Sequence, residues 1–321
     1  MAVPSRLRLA TAVAALLALP AAAHADVMGG YTFFNFDVPN ATGYTFANGI
    51  NNAGQVVGTS DGTGFLLNTD GSFQTIAPPG SFVPTGAIGI NNAGQIVGSF
   101  TDGSSNFSTF LRGADGSYTT VATPAAGVFT AAGINDSAQI VGTGRTTGFV
   151  VNADGTRTRL PVPDGADRVF ASGINNAGQV VGAVSDAAGL HGFLFDGTGY
   201  TLFDDPFGVG ATLANAINTA GQIVGYYADA NSTFHAFLNT AGAFLTLDDP
   251  AATGDTVALG INDAGTIVGY YTDTVGQHAF LAAVSTHAGA GDAPPVPEPA
   301  SMAVLGSAAA LLGLFGWRRR A

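Results

Sequence analysis

The ten residues Gly49 to Gly58, GINNAGQVVG, return five more times, as GINNAGQIVG from Gly89, GINDSAQIVG from Gly133, GINNAGQVVG from Gly173, AINTAGQIVG from Ala216 and GINDAGTIVG from Gly260. The isoleucines Ile50, Ile90, Ile134, Ile174, Ile217 and Ile261 are spaced by 40, 44, 40, 43 and 44 residues. That period belongs to stacked supersecondary units, because one such unit is too small to bury its own apolar face. Six units therefore make the body of the chain.

Each unit divides into four short strands separated by turn chemistry. In the fourth unit these are Ala171 to Ile174, Gln179 to Ala183, His191 to Phe195 and Tyr200 to Phe203. Asn175-Asn176-Ala177-Gly178 joins the first two strands, with Asn able to bond its own backbone and Gly able to take a positive φ. The third and fourth are joined by Asp70-Gly71, Asp115-Gly116, Asp154-Gly155, Asp196-Gly197 or Ala241-Gly242, hairpin signals that make neighbours antiparallel. The third unit reads Ser137-Ala138 where the others end the first turn in Gly, so a looser turn is expected there. Third strands carry Phe65, Phe110, Phe149, Phe193, Phe237 and Phe280 at one fixed place. Burying each between neighbouring units should contribute roughly 2 kcal/mol.

A four-stranded unit of this length is the size of one propeller blade. The ends of the array indicate how it closes. Five units end in a fourth strand and a proline corner, the last stops after its third strand, and a spare copy, Tyr31 to Pro39, precedes the first. Such a permutation suits a ring in which the N-terminal strand completes the last blade, since closure removes two exposed sheet edges. The expected fold is an all-β, six-bladed propeller of four-stranded blades. Second-to-third loops are long in units two, four, five and six, and would share one face with the proline corners, where propellers commonly place recognition.

The two ends of the chain read differently. Arg6 and Arg8, the apolar run Leu9 to Leu19 and the small-residue stretch Pro20 to Ala25 form a signal peptide, with cleavage expected before Asp26. The propeller is expected over residues 26–284, a flexible Ser/Ala/Gly/Pro linker over 285–295 and a separate tail over 296–321. The tail holds Pro297-Glu298-Pro299, the apolar run Met302 to Trp317, and Arg318-Arg319-Arg320. This hydrophobic helix is marginal for a transmembrane span and is expected to insert transiently in the inner membrane, its arginines on the cytoplasmic side. There is no cysteine, which excludes disulfides, thiolate metal sites and a cysteine nucleophile. Five of the ten basic residues lie in the end segments, leaving five arginines against 22 acidic residues. A surface so acidic should repel nucleic acid.

The tail resembles a PEP-CTERM sorting signal, carried by Pro297, Glu298, Pro299, Arg318, Arg319 and Arg320 around its hydrophobic run. That resemblance implies an exosortase as processing partner, beside signal peptidase, and delivery to the surface or extracellular matrix, such as a biofilm matrix, of a Gram-negative bacterium. The body is similar to HAF-repeat extracellular proteins through His235-Ala236-Phe237 and His278-Ala279-Phe280, with His191-Gly192-Phe193 close. Thr63, Ser108 and Thr147 depart from the pattern.

Candidate chemistry is sparse. His191, His235 and His278 occupy one equivalent position in three successive units, which sets them on separate strands, and they read as packing and turn residues rather than ligands of one ion. Aspartates recur in the second-to-third loops, at Asp61, Asp102, Asp186, Asp229 and Asp273, without a calcium-loop pattern. No metal or other cofactor is expected. The asparagines Asn51, Asn91, Asn135, Asn175, Asn218 and Asn262 recur in every unit and are read as bonding the first turn. A catalytic residue would stand once and out of register, and none does. The expectation is a non-enzymatic structural, adhesive or glycan-binding protein, with extracellular polysaccharide as partner. The alternative is a polysaccharide-acting propeller enzyme, glycosidase or lyase, which would need two ionisable residues in a pocket on the axis.

Overall fold

The computed structural model describes residues 26–102, 107–121 and 129–285. The signal peptide, the linker beyond Ser285 and the sorting residues Pro297, Glu298, Pro299, Arg318, Arg319 and Arg320 lie outside the described residues. The chain divides into two units, Met1–Ser285 and Thr286–Ala321. No helix among the described residues is long and apolar enough to cross a membrane.

The described body is all β. In the first repeat Thr45–Ile50, Val56–Ser60, Thr63–Leu67 and Phe73–Ile76 follow one another as an antiparallel sheet, and four further sheets repeat this order. The sixth sheet is built from both ends of the body. Thr256–Ile261, Ile267–Thr272 and Gln277–Val284 are joined by Tyr31–Phe36, which pairs along Gln277–Val284 with Phe33 opposite Ala282. The Phe33 and Phe280 rings meet at 5.5 Å between centroids. The ring is thus a six-bladed propeller closed by its N-terminal strand. One feature departs from the expected four strands: Asp26–Met28 pairs onto Tyr31–Phe36 as a fifth, outermost strand of the last blade.

The repeat motif explains each blade locally. Every inner strand carries an irregularity two residues before its end, as between Ala47 and Gly49, and the following turn is closed by Asn51 N–H to Gln55 O and Gly54 N–H to Asn51 O. Gly58 has no alternative, because a Cβ there would lie 2.0 Å from the Phe46 carbonyl and 2.5 Å from the Phe65 ring. That close approach seats the Phe ring on bare backbone and lets it reach the seam between blades. Phe65, Phe110, Phe193 and Phe280 are buried in this way, and Phe237 is fully buried opposite Gly225. Phe149 is only half-buried; in the third blade Phe129, fully buried, covers Gly142 instead. The third turn is not looser either, since Ala138 adopts φ 55° and donates to Asn135 O at 3.0 Å like its glycine counterparts.

The asparagines do more than close a turn. Asn91 Oδ1 accepts from the amides of Ala93 and Gln95, while its Nδ2 donates to Gln95 Oε1 at 2.8 Å and to the backbone carbonyl of Asn135 in the next blade at 3.0 Å. The inter-blade bond repeats from Asn51 to Asn91, Asn135 to Asn175, Asn175 to Asn218, Asn218 to Asn262 and Asn262 back to Asn51. Six buried carboxamides therefore form a closed circuit around the axis. A second circuit, open between the fourth and fifth blades, lies outside it, in which Asn52, Asn92 and Asp136 each donate their amide to the next blade's side chain, as Thr219 does to Asp263 and Asp263 to Asn52.

Opposite substitutions test these two points. Asn135→Ala strands the Asn175 carbonyl and the Gln139 side chain, and should cost about 1–3 kcal/mol, read as a melting point lower by several degrees. Ala138→Gly relieves a left-handed alanine worth about 1 kcal/mol and should raise the melting point slightly.

Candidate functional site on the loop face

Strand direction sorts the connections onto two faces. The Asn turns and the third-to-fourth hairpins share a turn face; the second-to-third loops and the corners between blades share the opposite, loop face. On the axis the six isoleucines at the inner-strand ends line two small cavities of about 70 and 80 Å³, one on either side of them. Asp136 and Asp263 are the titratable groups lining them, both at the turn-face mouth and both in register with the repeat. Their carboxylates accept from Asn92 and Asn176 and from Asn52 and Thr219, so each is committed to the second circuit.

The histidines stand at the loop-face ends of three third strands, apart from one another, each held between two aspartates. His191 Nδ1 lies 2.9 Å from Asp204 and its Nε2 3.2 Å from Asp186. His235 is placed likewise between Asp248 at 2.7 Å and Asp229 at 3.6 Å, and His278 between Asp37 at 2.8 Å and Asp273 at 3.3 Å. In each case one aspartate ends the fourth strand of the blade and the other sits in its loop, so the imidazole clasps the outer half of the blade. Asp37 belongs to the N-terminal strand, and the clasp of the sixth blade is therefore also a latch on ring closure. Among the described residues no group of three His, Asp or Glu is arranged to hold a metal ion. Asp186, Asp229 and Asp273 also accept backbone amides of their own loops, as Asp61 accepts those of Thr42, Gly43 and Tyr44. Reading these histidines as packing residues missed their partners. The signal was present: His appears only in blades whose fourth strand runs into Asp, at Phe36-Asp37, Phe203-Asp204 and Leu247-Asp248.

Nearer the axis the same face carries a row of half-buried aromatic rings. Tyr226 packs on Phe234 at 4.9 Å, Tyr270 on Phe46 at 4.5 Å, and Phe46 stacks on Tyr44 at 4.8 Å, so the row crosses blades five, six and one. Burial, reinforced by Asp255 and Tyr226, pushes the Tyr270 hydroxyl up to about 12. Blades two to four place Ser99, Thr143 and Ala183 where Tyr226 and Tyr270 stand, leaving the face asymmetric. Phe207 and Val209, in a corner between blades, and Val275, in a second-to-third loop, are exposed apolar residues of the same face.

Residues 295–320 match the PEP-CTERM protein-sorting motif, a stretch that contains all six expected sorting residues. No curated protein matches the chain. Among solved structures, a TolB-type protein of Agrobacterium tumefaciens is similar at 15% identity over 70% of this chain and 89% of that one, with a TM-score of 0.55. Virginiamycin B lyase from Staphylococcus aureus (11% identity, 78% and 99% covered, TM-score 0.49) and a gluconolactonase from Xanthomonas campestris (13%, 80% and 90%, 0.47) also align. At such identities the likeness to the TolB-type protein concerns the fold alone.

The clasps tie stability to pH. Asp204 raises the pKa of His191 above the usual 6.5; for His235 and His278 burial pulls the other way but is outweighed by Asp248 with Asp229 and by Asp37 with Asp273. A raised folded-state pKa means stabilisation that is complete below pH 6.5 and fades as pH climbs through the raised value. The loop carboxylates, held below the usual 3.8 chiefly by backbone amides in Asp186 and Asp229, lose theirs only as pH falls beneath it. Chemical denaturation midpoints should accordingly fall between pH 6 and pH 8.5, and the His191→Gln, His235→Gln, His278→Gln triple variant should flatten that slope.

Proposed function

We propose that this protein is an exported propeller of the cell surface or extracellular matrix, non-enzymatic, with a structural, adhesive or glycan-binding role. The observation that carries the reading is the sorting motif at residues 295–320 behind a closed propeller body. The motif implies processing by an exosortase and delivery to the exterior of a Gram-negative cell. The last strand of the body runs toward the turn face, where Ser285 N–H bonds Gly30 O at 2.8 Å. The loop face, with its aromatic row, is the one opposite Ser285. Half-buried rings with polar neighbours suit the apolar faces and hydroxyls of sugars.

The second reading, a glycosidase or lyase, would place two out-of-register carboxylates in an axial pocket. It is favoured less because Asp136 and Asp263 follow the repeat and are hydrogen-bonded to neighbouring blades. Replacing Pro297, Glu298 and Pro299 together by alanine in a host with an exosortase should leave the tail unprocessed and the protein cell-associated, read as a larger band in the membrane fraction. Unaltered processing would reject the sorting assignment.

A further inference from the structure

We propose that the open pocket between the corner Val38–Ala41 and the outer half of the first blade takes one uncharged hexose ring of a polysaccharide. This rests on the glycan-contact reading above and names its subsite. The pocket has a volume of about 210 Å³, larger than either axial cavity. It exists because the first blade is under-filled relative to blades five and six. At the position two residues after the glycine that recurs in register, blades five and six carry Tyr227 and Tyr271, where blade one has Ser60. Two residues before the buried Phe they carry His235 and His278, where blade one has Thr63. In blade five the ring of Tyr227 stacks on His235 at 5.2 Å and its hydroxyl meets Thr246, the counterpart of Thr75. Two small residues in place of two large rings leave the corresponding space empty in blade one.

What lines the space suits a sugar. Phe65 and Phe73, with centroids 5.8 Å apart, supply an apolar floor. Thr63 and Thr75, on the same face of the sheet as Phe65 and Phe73, line it with two hydroxyls that make no hydrogen bond among the described residues. Such groups match a ring that is apolar on one face and hydroxylated at its edge. Ser60 is already bonded to the Tyr44 carbonyl and to Thr45. Asp61 is the one charged residue of the lining; its carboxylate is spent on the Thr42, Gly43 and Tyr44 amides, which hold it ionised. With no arginine in the lining, a uronate would meet only repulsion. The volume falls below the roughly 300 Å³ at which drug-sized pockets begin, room for one ring rather than several. The chain of sugars has a continuation, because Tyr44, whose amide bonds Asp61 of the lining, begins the aromatic row to Phe46 and Tyr270.

The exported protein is titrated calorimetrically with cello- and manno-oligosaccharides and, as the anionic comparison, with oligo-uronates. Binding of a neutral series is expected. The Ser60→Tyr, Thr63→His double variant, which fills the pocket with the protein's own blade-five residues, should lower affinity at least tenfold in a protein that still unfolds cooperatively. Thr75→Val, an exposed change that decides alone if the double variant does not fold, should lower it several-fold. Wild-type affinity in the folded variants would overturn the pocket while leaving glycan contact elsewhere on the face. A preference for uronates would overturn the uncharged specificity. Absence of binding to every series would overturn both the pocket and the glycan-binding reading.

Discussion

The circuit of six asparagines is the constraint from which the rest of the body follows. A buried carboxamide has two donor positions and an acceptor oxygen, and each must be met because an orphaned polar group costs about 1–3 kcal/mol. Here the oxygen takes amides of its own turn, and one N–H crosses to the carbonyl of the next inner strand. Each blade thus completes its neighbour's hydrogen bonding. The last bond, from Asn262 to the Asn51 carbonyl, can form only if the sixth blade stands beside the first. Closure is therefore written at the axis as well as at the rim, where Tyr31–Phe36 zips onto Gln277–Val284.

With the inner ring committed to structure, variation is left to the loop face. The turn face repeats the same residues, whereas the loop face differs from blade to blade in what fills the space beside the third strand. Blades four to six fill it with a histidine clasped by two aspartates, and blade one leaves it open. The sixth clasp draws Asp37 from the start of the chain, so one imidazole joins residues 241 apart in sequence. A repeat array can diversify in this way because each blade's core, the Phe seated on its glycine, does not depend on which residues cap the loop side.

Clasps and aromatic row also share an electrostatic setting. The loop face of blades five, six and one holds Asp37, Asp61, Asp229, Asp248, Asp255 and Asp273, and the arginines of the described residues all belong to blades two, three and four. Most of those carboxylates are spent on backbone amides or imidazoles, which explains how so acidic a face tolerates its own charge. It also leaves the polar side chains of the first blade, rather than the carboxylates, as the groups with hydrogen bonds to offer.

Much of the architecture was legible in one dimension because a repeat states its pattern six times. Blade number, strand order, the turns and the closing strand follow from the spacing of Ile50 and its counterparts and from a spare fourth strand at Tyr31. The sorting motif is likewise a linear signal. What only tertiary structure decided are relations between units: that Asn91 bonds across to Asn135, that His278 finds Asp37, that Phe129 rather than Phe149 fills the third seam, and that Ser60 and Thr63 together leave a pocket. Those depend on which side chains face one another across a seam between blades, a distance that the order of residues along the chain does not contain.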